Sequence, residues 1–215
     1  MARPSEYEYV VIEGNIGSGK TTLSKLLAER WGSRLMLEEF KDNPFLPKFY
    51  ENPEPHGFAL ELSFLAERYH QKRDELNKTD LFKPGIVCDY SFAKSLVFAK
   101  INLDEDEFGL YQSLFHIIHG RLAKPDLLVY LHCSAEKSLR QIKKRGRPFE
   151  QEISLDYLEK INSGYLDFFK QNSNTKIILL NTENLDFVSS VEDLNQVFEV
   201  FEGTYSAGVQ VVDGF

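Results

Sequence analysis

The sequence predicts an α/β fold: a five-stranded parallel sheet flanked by helices, with a short arginine-rich lid. Three observations carry this. Short apolar runs alternate with longer stretches of helical periodicity, the pattern of a parallel sheet covered on both faces. The segment GNIGSGKTT, Gly14 to Thr22, lies between the first apolar run and the first helical stretch. Three acidic residues, Glu13, Glu38 and Asp89, end predicted strands, and in such sheets ligands bind beyond the carboxyl ends of the strands.

The elements follow in order. Tyr9–Glu13 reads as a strand and Lys20–Trp31 as a helix. Arg34–Glu38 is a second strand, and Phe58–Lys78 a long amphipathic helix. The turn pair Pro84-Gly85 precedes a third strand, Ile86–Asp89. Helices are expected over Phe92–Asn102 and Glu107–Lys124. Pro125 precedes a fourth strand, Leu127–Leu131. A helix from Ala135 leads into the basic segment Lys143–Arg147. Ser154 is placed to cap a helix running to Gln171. Lys176–Leu180 is the fifth strand, and a last helix begins near Ser190. Residues 1–215 read as a single domain, with the lid at about 143–152.

Composition narrows the function. The net charge of -8 argues against a nucleic-acid groove, which needs a basic face. No apolar stretch approaches the roughly 20 residues of a membrane span, and the N-terminal MARPSEYEYV lacks a signal peptide's apolar core. Cys88 and Cys133 fit no metal or CxxC spacing and read as buried small hydrophobes in a reducing compartment. A cytoplasmic location is expected. His116 and His119 lie three apart on a predicted helix, with no carboxylate or cysteine placed to complete a metal site.

Gly14 to Thr21 satisfies GxxxxGK[ST] between a strand and a helix, the context the motif requires. Backbone N–H groups of Gly14, Asn15, Ile16, Gly17, Ser18 and Gly19 can curl around one anion, and the helix that follows adds a partial positive charge of about half a unit. Lys20 would reach the outer phosphates, and the Thr21 hydroxyl would ligate Mg²⁺, with Thr22 beside it. The loop fixes nucleotide binding. It does not separate a kinase from a switch or a motor.

A kinase acting on an alcohol needs a base near the hydroxyl, and Glu38 beside the loop is the candidate. Asp89 could position Mg²⁺. Exposed acids at strand ends are also common, so the position alone leaves both readings open. Lys143-Lys144-Arg145-Gly146-Arg147 gathers cations between two helices in an otherwise acidic chain. A solvated helix face is the ordinary explanation of such a run. A lid bringing arginines to the transferring phosphoryl group explains it better.

Taken together, GNIGSGKTT, EEFKDNPFLPKFY (Glu38 to Tyr50), FALELSFLAERYHQ (Phe58 to Gln71), CDYSFAKSLVFA (Cys88 to Ala99) and KKRGRPFE (Lys143 to Glu150) resemble the deoxyribonucleoside kinases of the non-thymidine-kinase-1 type. The likeness spans about Glu8 to Phe187 and is nearest to the bacterial deoxyguanosine and deoxyadenosine kinases. It implies a P-loop kinase fold, ATP as phosphoryl donor, Mg²⁺, and a nucleoside acceptor phosphorylated at its 5′-hydroxyl. It implies that Glu38 takes the proton of that hydroxyl, and that Tyr50 and Glu150 touch the sugar 3′-hydroxyl. Arg145 and Arg147 match the lid arginines, Asp89 the acid of an Asp/Glu-Arg-Ser motif, and Arg68 an arginine near the base. Asp186 and Phe187 belong to a segment resembling the loop that holds the ATP adenine. A homodimer through the fourth helix and its neighbour is also implied.

Three departures bear on substrate. The Asp-Arg-Ser pattern reads Asp89-Tyr90-Ser91, so an arginine is absent, and Tyr90 is either a substrate contact or core. Gln141 replaces the first lid arginine. Glu61 stands where many members carry glutamine. An ionised glutamate only accepts hydrogen bonds, which suits the N1–H and N2 amino group of guanine. Cytosine would leave two acceptors opposed, at about 1–3 kcal/mol. Glu61 could instead pair with Arg68, seven residues on, and adenine is served if the glutamate is protonated or takes only the amino group. The expected activity is ATP-dependent phosphorylation of a purine deoxynucleoside, deoxyguanosine favoured. Deoxyadenosine or broad specificity is the alternative, with a nucleoside monophosphate kinase or a P-loop switch further off.

Overall fold

The computed structural model describes residues 6–39, 43–78, 80, 82–120, 122–171 and 174–213. Phe40–Asp42 of the Glu38-to-Tyr50 motif lies outside them. The strands are β1 (Tyr9–Gly14), β2 (Arg34–Met36), β3 (Ile86–Cys88), β4 (Leu127–His132), β5 (Lys176–Asn181) and β6 (Gly208–Val212). All neighbours pair in parallel, in the order β2-β3-β1-β4-β5-β6. The helices are α1 (Lys20–Trp31), α2 (Leu46–Glu51), α3 (Gly57–Leu76), α4 (Lys94–Asn102), α5 (Glu105–His119), α6 (Ala135–Arg145), α7 (Leu155–Lys170) and α8 (Val191–Glu202).

Strand alternation divides the core into two layers. Val10 and Ile12 of β1 pack with Leu23 and Leu27 of α1 and Phe201 of α8. Tyr9 and Val11 face the other way, onto Val97 of α4 and Tyr165 and Phe169 of α7. Cys88 and Cys133 are buried and unpaired.

The sheet has six strands where five were expected. β6 follows the last helix as an edge strand whose residues alternate between half-buried and exposed, so it lacks the solid apolar run of an inner strand. β2 is also shorter than expected, ending at Met36, so Glu38 sits in the following loop rather than on the strand. Helix α1 matches its expected span. Gly19 opens it at φ +89° and Gly32 closes it at φ +61°, both in the left-handed region that favours glycine. Ser154 caps α7 as expected, accepting from the Tyr157 N–H at 3.2 Å. The helix expected to run to Lys124 ends at His119.

Candidate active site

The phosphate loop is wedged between two elements. A Cβ at Gly17 would lie 2.5 Å from the Ser138 carbonyl oxygen, and one at Gly19 would lie 2.7 Å from Phe187 Cζ. Glycine is therefore required at both positions for space as well as for positive φ. Asn15 ties the loop to α7: its Nδ2 donates to the Leu158 carbonyl and to Asn162 Oδ1, both at 2.8 Å. Its side chain thus shapes the loop, leaving the anion to the backbone. Lys20 Nζ donates to the Asn15 carbonyl at 3.0 Å. Burial, with the Lys94 ammonium nearby, lowers its pKa to about 8. Glu13 is fully buried. It accepts from the N–H groups of Gly14 and Ser91 and from the Tyr165 hydroxyl, fastening the loop to the turn after β3.

That turn carries Asp89. Its Oδ2 accepts from Thr21 Oγ1 at 2.5 Å and its Oδ1 from the Glu38 N–H at 2.7 Å. The acid thereby links the end of the phosphate loop to the backbone of Glu38. Both Glu38 oxygens meet cations. Arg68 donates to Oε1 from Nε and Nη2, at 2.9 and 2.7 Å, and Lys94 Nζ donates to Oε2. Burial alone would raise the Glu38 pKa, but Lys94 and Arg68 outweigh it and hold the carboxyl well below the usual range.

Lys20, Thr21, Glu38, Arg68, Asp89 and Lys94 line one solvent-open cleft. At its far end lies Glu61, 1 % exposed. Asn102 Nδ2 donates to its Oε1 at 2.7 Å, and Oε2 has no partner. Burial pushes this carboxyl up to about 7, against the pull of Arg68 and Asn102. Tyr50 and Phe149 stack at 6.2 Å on one wall. Glu150 holds both lid arginines: Arg145 Nη2 lies 2.6 Å from Oε2 and Arg147 Nη1 lies 3.1 Å from Oε1.

A second recess lies behind the loop, with Thr22, Gln141, Asp186 and Phe187 on its walls. Lys137 Nζ pins this side by donating to the carbonyls of Thr182, Glu183 and Leu185. The Asp186 carboxylate is engaged by its own turn, accepting from the N–H groups of Val188 and Ser189.

The fold thus brings Lys20, Thr21, Glu38, Tyr50, Glu61, Arg68, Asp89, Arg145, Arg147 and Glu150 to one cleft. The structure bears on two residues whose roles the sequence left open. Tyr90 is not among the cleft residues. It is fully buried in the core cluster that holds Cys88, and its hydroxyl donates to Gln71 Oε1 at 2.6 Å. Arg68 lines the cleft with Glu61, and its guanidinium is bound to Glu38 and to Ser95 Oγ. Sequence reasoning missed Lys94 and Asn102. Lys94 supplies the charge that the Asp89-Tyr90-Ser91 sequence lacks, from the first turn of α4, one helical turn beyond Tyr90. The quoted segment CDYSFAKSLVFA contains it, and a search for the absent arginine's charge would have found it.

A GxxxxGK[ST] loop, an acid joined to its threonine, and arginines facing a second carboxylate across one cleft define a P-loop phosphotransferase. The chain belongs to the deoxynucleoside kinase family, whose model, described as "Deoxynucleoside kinase", matches residues 10–204. The deoxyguanosine kinase of Bacillus subtilis is 34% identical over 195 residues, spanning 88% of this chain and 93% of that one. The deoxyadenosine/deoxycytidine kinase of the same organism is 30% identical over 200 residues, 88% of this chain and 89% of that one. Among solved structures, deoxyadenosine kinase from M. mycoides with bound dATP superposes with a TM-score of 0.78 at 23% identity, over 91% of this chain and 100% of that one. The chain is accordingly an enzyme that phosphorylates deoxynucleosides, and membership implies ATP as its donor.

Proposed function

We propose that the enzyme transfers the γ-phosphoryl group of ATP to the 5′-hydroxyl of a purine deoxynucleoside, deoxyguanosine in preference. One observation carries the choice of base. Among the described residues, Glu61 Oε2 is the buried polar side-chain atom lining the cleft that has no partner. An acceptor left bare in a buried pocket calls for a donor from the ligand, and guanine offers two on one edge. The likeness to the Bacillus subtilis deoxyguanosine kinase agrees.

The other residues take roles by position. The loop N–H groups and Lys20 hold the donor phosphates. Glu38, presented toward the cleft by Asp89, accepts the proton of the 5′-hydroxyl. Its lowered pKa makes it a weak base, which suits a loose transition state governed by positioning and charge. Arg68 and Lys94 orient it. Arg145 and Arg147, now on Glu150, are within one lid segment of the transferring group, and Tyr50 and Glu150 flank the sugar. The Thr21 hydroxyl and the Asp89 carboxylate are hard oxygen ligands of the kind Mg²⁺ takes, and the hydrogen bond that now joins them would open to admit the ion. When bound, Mg²⁺ would offset charge on the phosphate oxygens.

Kinetics with deoxyguanosine, deoxyadenosine and deoxycytidine test this reading. The Glu61→Gln enzyme should lose roughly ten- to hundredfold of the guanine preference. An unchanged ranking would mean that Glu61 does not read the base. We also propose a cytoplasmic homodimer. Leu110 and Ile117, seven residues apart on α5, are exposed apolar side chains that a second copy would cover. Sedimentation at micromolar concentration should give twice the monomer mass, and a single monomeric species would refute it.

A further inference from the structure

We propose that Glu61 reads two purines in two protonation states, guanine when ionised and adenine when protonated. The inference rests on the purine-kinase reading and adds how the base is chosen.

Asn102 fixes which oxygen can change. Its amide donates to Oε1, so that oxygen is an acceptor in either state. Oε2, buried and without a partner, is where a proton can reside. With Oε2 bare, the carboxylate presents two acceptors and matches the N1–H and N2–H donors of guanine. With Oε2 protonated, the same edge presents a donor beside an acceptor. The Oε2–H then donates to adenine N1, while the second lone pair of Oε1 accepts from the N6 amino group. Each purine is matched by one state and mismatched by the other. The carboxyl stays where Asn102 holds it, and the base slides along it instead, because adenine's N6 lies on the opposite side of N1 from guanine's N2.

The surroundings leave the change of state to Glu61. On its own helix it faces Arg68, and from α4 it faces Asn102 and Lys94. The loop after β2 contributes Glu38, held ionised by its two cations. Tyr50 of α2, Tyr111 of α5 and Tyr157 of α7 face it from the remaining sides, all with pKa values raised by burial, so they stay neutral. The lid pair Arg145–Glu150 stands beyond Tyr50. Burial raises the Glu61 carboxyl to about 7, which places its titration within the working range of an enzyme.

The test is the ratio of kcat/KM for deoxyguanosine to that for deoxyadenosine, measured from about pH 5.5 to 8.5. Lys20, Glu38 and the phosphates act on both substrates alike, so their titrations cancel in the ratio. One titrating group that serves the two bases in opposite states changes it about tenfold per pH unit. The ratio should therefore rise about a hundredfold between pH 6 and 8, and Glu61→Gln should make it flat. Asn102→Ala removes a donor that favours the ionised form, so the pH at which the two substrates are used equally should move upward. It serves as a second variant should Glu61→Gln fail to fold. A ratio that stays constant in the natural enzyme while both purines turn over would overturn the inference and leave the purine-kinase reading intact. A slope that persists in Glu61→Gln would assign the effect to another group and overturn it too. Turnover of neither purine at any pH would remove the underlying reading instead.

Discussion

Glu38 and Glu61 line the same cleft and are both shielded from water, yet their carboxyls are shifted in opposite directions. Glu38 meets a guanidinium and an ammonium, while Glu61 meets one amide. Burial pushes both pKa values up, and only at Glu38 do partner charges overcome it. The difference teaches that position in the cleft does not set the chemistry of a carboxylate. Its partners do, and two acids on one substrate can therefore hold different charges at one pH.

Removing Glu38 attacks the charged end directly and should have the largest effect. Glu38→Gln keeps the shape and some of the hydrogen bonding but cannot take a proton. We expect kcat to fall about 10³-fold with KM for the nucleoside changed only a few-fold. A loss confined to KM would mean that Glu38 binds substrate without acting as base.

Lys94 comes next, because it turns one kind of end into the other. Lys94→Met leaves Glu38 with Arg68 alone. We expect kcat/KM to fall about 10²-fold. The acid limb of its pH profile should also move upward, since the Glu38 pKa rises when a cation beside it is removed. Lys94→Arg should restore the limb. If Lys94→Met lowered activity without moving that limb, the lysine would be packing and no more.

The sequence made one end of this comparison more legible than the other. Glu38 was found because its own motif and the neighbouring loop mark it, and helix α1 was delimited because Gly19 and Gly32 punctuate it. Lys94 and Asn102 were missed because each acts across the cleft, on a residue 56 or 41 positions away in the chain. No local pattern records such a pairing. Tyr90 was left between substrate contact and core for a related reason. Its motif position suggested the substrate, but the fold buries its ring in the core cluster of Cys88 and Val97 and gives its hydroxyl to Gln71. The edge strand β6 escaped because half of its surface is exposed. The Glu61 substitution was legible as chemistry, but its unshared oxygen and raised pKa depend on burial that only the fold supplies.

The smallest effect concerns stability, and it separates the two acids by sign. Glu38 has a depressed folded pKa, so its contribution is present above its unfolded value of 4.5 and is lost on acidification. Glu61 is raised from 4.5 to about 7, so its contribution is complete below 4.5 and is lost as pH climbs through the folded value. Between about pH 5 and 7 the unfolded chain has already released this proton while the folded chain retains it. Linkage then costs about 2 kcal/mol over that window, or about 5 °C in Tm for a chain of this length. Thermal melts without ligand should show the natural protein losing about this much more stability across the window than Glu61→Gln, whose amide does not titrate. Parallel melting curves would mean that Glu61 ionises normally when the cleft is empty, and the contrast between the two ends would then arise only after substrate enters.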